Sequence, residues 1–197
     1  MIRTVLRFAL AIAITVPAAA QKPSPPKKSA SGSTTGAYRN ASFNFQYDIP
    51  FGWVDRTKDM QEGNDAAKGE VLLAIFERPP QAAGDSVNSA VVIAAEKTSA
   101  YPGVKTADDY LAPLTALTTA RGFQAEGDPS EAVVAGRHIA RVDFSRKLND
   151  QLTMYQSTLV LFARGQIVTF TFVAESQESA NQLIEGLNFS PAAAKSK

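Results

Sequence analysis

The stretch FNFQYDIPFGWV, Phe43 to Val54, alternates large apolar residues with polar ones until it reaches Ile-Pro-Phe-Gly-Trp. Phe43, Phe45, Tyr47 and Ile49 share one face of an extended chain and Asn44, Gln46 and Asp48 the other, the period of a half-buried strand. Pro50 then removes a ladder donor and Gly52 permits a tight turn, so the strand predicted over 43–49 ends in a corner. Core packing accounts for Phe43, Phe45 and Tyr47, and Trp53, the single tryptophan, is placed to plug the end of the core. The same corner is where a small-ligand pocket lined by Phe51 and Trp53 would form.

Working outward, the runs VLLAIF (71–76) and AVVIAA (90–95) are continuously apolar, as expected of central strands covered on both faces. Pro79-Pro80 closes the first, since neither residue can donate to a ladder. Residues 137–145, 152–163 and 166–174 read as a meander joined by short turns, and Glu131 to Val134 as a further strand pairing back through Ala135-Gly136. One helix starts at the N-cap Thr106, with Asp108 and Asp109 in its first turn. Its stripe is Ala107, Tyr110, Leu111, Leu114 and Leu117, and Arg121-Gly122 stops it. Pro113 should kink it or split it. A second helix starts at Ser176 and carries Ala180, Leu183, Ile184 and Leu187 at helical spacing. Both amphipathic faces need a sheet to pack on, which gives a single α+β domain with a twisted, mainly antiparallel sheet between helices, an α/β/α sandwich.

The two ends are different in kind. Arg3 and Arg7 precede the short apolar run Phe8 to Val16, and Pro17 precedes Ala18-Ala19-Ala20, the pattern of a signal peptide over residues 1–20 cleaved before Gln21. The run is about half of the ~20 residues a bilayer span needs, so no transmembrane anchor is expected. No cysteine follows it to take a lipid. Residues 21–36, QKPSPPKKSASGSTTG, read as a disordered linker, residues 37–190 as the domain, and residues 191–197 as a flexible tail. The reading is therefore an exported protein, periplasmic or extracellular.

Composition narrows the chemistry. The chain's net charge of +1 hides an acidic centre: 13 basic residues against 19 acidic ones leave residues 37–192 at −6. That argues against a nucleic-acid partner, which needs a basic surface. The absence of cysteine removes disulfides, thiolate catalysis and cysteine-bound metals. His138, the single histidine, sits in a predicted strand on the side of Ala140, Val142 and Phe144, with Asp143 on the other, and no G-x-S-x-G elbow accompanies it. Asp55, Asp59, Glu62 and Asp65 gather after the tryptophan. They lack EF-hand spacing but form the one acidic stretch in which Asp55, Asp59 and Glu62 would hold a metal.

The stretch YRNASFNFQYDIPFGW, followed by two buried strands, a helix, a meander and the closing segment QIVTFTFVAESQESANQLIEGL, resembles the PsbP-like family, named for an extrinsic subunit of photosystem II and including secreted bacterial relatives. The likeness covers roughly residues 38–190, and its sharp motif is the I-P-x-G-W corner of Ile49, Pro50, Gly52 and Trp53. It implies an antiparallel sheet between helices, an accessory or docking role, and no catalytic residue set. The expectation is thus an exported, monomeric, non-enzymatic accessory protein of the cell envelope, without a cofactor, that acts through contacts with another envelope protein. A small-ligand or metal-binding protein and a hydrolase with a cryptic site are the alternatives.

Overall fold

The computed structural model describes residues 36–62, 69–82 and 84–189. The signal peptide, all of the linker but Gly36, Asp65 and the tail expected from the sequence lie outside the described residues. In chain order the elements are β1 (Gly36–Asn40), β2 (Phe45–Ile49), β3 (Val54–Asp55), α1 (Thr57–Glu62), β4 (Gly69–Phe76), β5 (Ala90–Lys97), a single 3-10 turn (Thr98–Ala100) and α2 (Ala107–Thr119). They continue with β6 (Gln124–Ala125), β7 (Ser130–Val134), β8 (Arg137–Lys147), β9 (Thr153–Ala163), β10 (Gln166–Ala174), α3 (Gln177–Glu185) and β11 (Leu187–Phe189).

Every pairing among these strands is antiparallel. Eight strands form a large sheet in the order β3-β4-β5-β10-β9-β8-β6, with β7 also pairing β8. The strand predicted over 43–49 forms over Phe45–Ile49 and does not join it. It becomes β2, the middle strand of a separate sheet ordered β1-β2-β11. The corner at Pro50 and Gly52 (φ 84°) is closed by a hydrogen bond from the Trp53 amide to the Pro50 carbonyl, and releases the chain into β3 of the large sheet.

Strand parity divides the core into two. On one face of the large sheet, Ile93 (β5), Leu159 (β9), Val168, Phe170 and Phe172 (β10) meet Phe45, Tyr47 and Leu187 of the small sheet, together with Phe43 of the β1–β2 turn and Ile184 of α3. On the other, Val92, Ala140, Val142, Phe144, Val160 and Ile167 meet Tyr110, Leu111 and Leu114 of α2. A register shift between Val71 and Leu73 lets β4 serve both faces with residues of equal parity, Val71 on the α2 side and Leu73 on the other.

The helices depart from expectation in two places. α2 runs unbroken through Pro113. Burial of Tyr110, Leu111 and Leu114 and a full capping box at Thr106 and Asp109 hold the turns on both sides of the missing donor. Its buried stripe ends on Thr118 instead of Leu117, because Leu111, Leu114 and Thr118 repeat at the helical spacing, and the Thr118 hydroxyl is satisfied by the Leu114 carbonyl. Helix α3 stops at Gly186, so Leu187 is buried as a strand residue.

Candidate functional site

The structure separates the two aromatic residues expected to line a pocket. Trp53 is 8% exposed and belongs to the aromatic core, whereas Phe51 is 84% exposed at the tip of the corner. The three carboxylates expected to bind a metal lie on a strand end and a helix. Asp55 accepts a hydrogen bond from the Thr57 amide at the start of α1, and Asp59 pairs with Arg56 at 3.4 Å. Glu62 ends α1. Among the described residues, no three acidic or histidine side chains converge as a metal site would require.

Concave surface is found along α2. A groove of about 550 Å³ opens between the first turn of α2 and the β7–β8 hairpin, with Leu111, Ala140 and Val160 among its apolar lining and Asp108, Glu131 and His138 as its ionisable groups. A second depression, sharing Asp108, Leu111 and Pro129, continues along the helix past Ala112 and Ala116, and the Thr115 hydroxyl beside it is buried without a hydrogen-bond partner. Neither hollow includes Phe51 or Trp53.

The hairpin explains why these residues meet. Ala135 and Gly136 both take positive φ, the two-residue turn the sequence predicts, and this fixes Val133 opposite His138 and Glu131 opposite Ala140. Glu131 and His138 are thereby diagonal neighbours on one face, and the His138 ring nitrogen Nδ1 lies 2.8 Å from the Glu131 carboxylate. Both side chains are exposed, and no hydroxyl occupies the place of a nucleophile beside the ring in the described hydrogen bonds. Val133, 63% exposed, stands on the same face. The sequence contained the signal for this cluster: Glu131, Val133 and His138 follow from the hairpin register already legible at Ala135-Gly136. Asp108 could not be placed there, because its meeting with β7 depends on how α2 crosses the sheet.

Two other polar clusters are built into the fold. Glu96, at the end of β5, is 5% exposed, and the hydroxyls of Tyr101 and Tyr110 donate to its Oε2 at 2.5 and 2.8 Å. Burial pushes the carboxyl's pKa up, and the two phenol hydrogen bonds oppose that shift. Burial also holds both tyrosines well above their ordinary range, with the Glu96 carboxylate adding to it. Gly69 of β4 pairs with Glu96, and a Cβ there would stand 2.6 Å from the Ala95 carbonyl oxygen. On the opposite face, Arg141 holds Asp143 through Nε and reaches Ser157 and Asn181 of α3 through Nη2, tying the helix to the sheet.

With this geometry the chain has a PsbP-like fold. The solution structure of cyanobacterial PsbP from Synechocystis sp. PCC 6803 matches it with a TM-score of 0.50 and 13% identity, covering 84% of this chain and 98% of that one. LpqN of Mycobacterium tuberculosis, a protein involved in cell envelope biogenesis, shares 15% identity over 75% of this chain and 83% of its own, with a TM-score of 0.41. PA94 of Pseudomonas aeruginosa, of unknown function, shares 15% identity over 79% and 97%, with a TM-score of 0.44. No protein-family model and no curated protein sequence matches the chain.

Proposed function

We propose that this is an exported, non-catalytic accessory protein of the cell envelope that works by docking another protein. The observation that carries the reading is the groove beside α2, an open hollow lined by apolar and polar groups alike, with the exposed Val133 opposite His138 on the same hairpin face. Open surface that mixes apolar and polar groups is the form of a protein contact, while small-molecule sites enclose most of their ligand. The ionisable groups away from the groove support the same reading: the buried Glu96 accepts from Tyr101 and Tyr110, and the half-buried Asp143 holds Arg141, which reaches Asn181 of α3, so both carboxylates are occupied in the fold itself. The export pattern at the N-terminus supplies the compartment, and no described helix is long and apolar enough to cross a membrane.

The test is site-specific photocrosslinking of the full chain in intact envelopes. A photoreactive residue is placed at Val133, at Phe51 and, as a control, at the exposed Glu178 of α3. A discrete adduct formed at 133 and absent at 178 is expected. Identical adducts at all three positions, or none at any, would overturn the docking role.

A further inference from the structure

The groove lies beside the edge of a sheet, and that edge indicates what it takes. Strand β7 bonds to β8 along one side, and among the described residues no strand pairs with its other side. An open edge presents a row of backbone donors and acceptors that an added strand can satisfy. Proteins blunt such edges with short strands, charged side chains, proline or bulges; the five-residue β7 (Ser-Glu-Ala-Val-Val) carries no lysine or proline, and its one charge is the acidic Glu131. The strand instead exposes Val133, one of two large apolar side chains left in solvent among the described residues, the other being Phe51.

Charge selects the class of strand. Asp108 and Glu131 face the groove, Asp128 is exposed in the turn leading to β7, and His138 is already engaged by Glu131. The partial positive charge of the α2 N-terminus is offset by Asp108 and by Asp109, whose carboxylate accepts the Lys105 and Thr106 amides. The surface beside β7 is therefore acidic and partly apolar. An extended segment whose alternate side chains are basic and small or β-branched meets both properties at once.

We propose that the outer edge of β7, with the groove beside it, binds an extended lysine- or arginine-bearing segment of a partner protein by strand addition. This rests on the docking role and names the occupant of the same surface. Backbone pairing to β7 supplies the register, Val133 meets an apolar side chain of the added strand, and Asp108 and Glu131 take its cations. Such a site tolerates sequence change in the partner so long as alternation and charge are kept, since the ladder bonds involve backbone alone.

The probe is a blocked eight-residue peptide alternating lysine with valine, titrated into the full chain, labelled with nitrogen-15 and followed by amide chemical shifts. Shifts confined to residues 107–111 and 130–140, new exchange protection within β7, and weakening with added salt are expected. The Glu131→Lys and Asp108→Lys variants, each checked for a native-like spectrum, should bind at least tenfold more weakly. A peptide with N-methylated amides on its pairing edge should lose binding though its charge is unchanged. Equal binding of a glutamate–valine peptide, shifts centred elsewhere, or no shift at millimolar peptide would overturn the assignment of the occupant. Crosslinking from position 133 reads the docking role independently: an adduct there with no peptide binding leaves docking standing and removes the basic strand.

Discussion

Edge-to-face aromatic pairs occur on both faces of the large sheet, and they do different things there. On the face covered by the small sheet, Phe170 meets Phe45 at 5.1 Å and Phe189 at 6.0 Å, with no polar atom between the rings. On the α2 face Tyr101 meets Tyr110 at 5.1 Å, but both hydroxyls turn to a buried carboxylate. The first arrangement gains from burial alone. The second must also offset the desolvation of Glu96, and it does so with hydrogen bonds that require α2 and the 3-10 turn to stay in place. The aromatic pairs of the small-sheet side are thus seated by burial alone, apart from the Arg141, Asp143 and Ser157 cluster elsewhere on that face. The α2 face carries the buried carboxylate, and it is also the face that leaves a groove open at its margin.

The sharpest way to break this division is to remove its apolar centre. Phe170→Ala takes a fully buried ring out from between Phe45 and Phe189, and should lower the unfolding free energy by about 3–5 kcal/mol in urea titrations. A loss below about 1 kcal/mol would mean that the small sheet is not fixed by this contact.

A second, smaller effect belongs to Glu96 and depends on pH. Its pKa is raised above 4.5 in the folded state, so the folded chain holds that proton more tightly than the unfolded chain does. The contribution to stability is fully present below about pH 4.5 and is lost as the pH rises through the folded-state value. Glu96→Gln removes the titration, so urea midpoints measured from pH 4 to pH 8 should decline less with rising pH than those of the native chain. Parallel profiles would show that Glu96 does not titrate differently in the two states. The aromatic face gives no such signature, since Tyr47, raised by burial and by Asp48, titrates far above this range.

The two faces were also unequally legible in the sequence. Period-two alternation announced β2 and β10, and the short turns announced the β7–β8–β9–β10 meander, because both signals are local. That β2 leaves the large sheet and pairs with β1 and β11 was not local. Three residues, Leu187–Phe189, are too few to declare a strand, and the pairing of Leu187 with Tyr47 spans most of the domain. Helix α1 was hidden because its six residues bury none of their side chains and so leave no apolar stripe. Glu96 was hidden for a related reason. In AVVIAAEK it reads as the polar end of a strand, and only the packing of Tyr101 and Tyr110 over it makes it interior. Trp53 was legible as core, while the side on which Phe51 lies was not, since the positive φ at Gly52 turns the corner and leaves Phe51 in solvent.

The attachment of α2 gives a third test, of about 1 kcal/mol. Thr106 accepts from the Asp109 amide and Asp109 accepts from the Thr106 amide, so Thr106→Ala deletes one half of a reciprocal cap. Because Tyr110 lies one turn further on, fraying at this end should also loosen the Glu96 cluster. Hydrogen exchange of α2 should quicken more than that of β10, and equal acceleration of both would show that the α2 cover does not open separately from the aromatic core.

The smallest effect is expected at the residue that first suggested a site. Phe51 is 84% exposed and makes none of the ring contacts that hold the aromatic core, so Phe51→Ser should change the unfolding free energy by less than about 0.5 kcal/mol. Trp53, two residues away and buried, supplies the contrast within the same corner: its fluorescence should stay blue-shifted in the Phe51→Ser variant, since the hydrogen bond from its amide to the Pro50 carbonyl does not involve the Phe51 side chain. A red shift or a stability loss near that of Phe170→Ala would show that Phe51 packs inward in solution. It would also move the corner from the exposed surface into the aromatic half of the molecule.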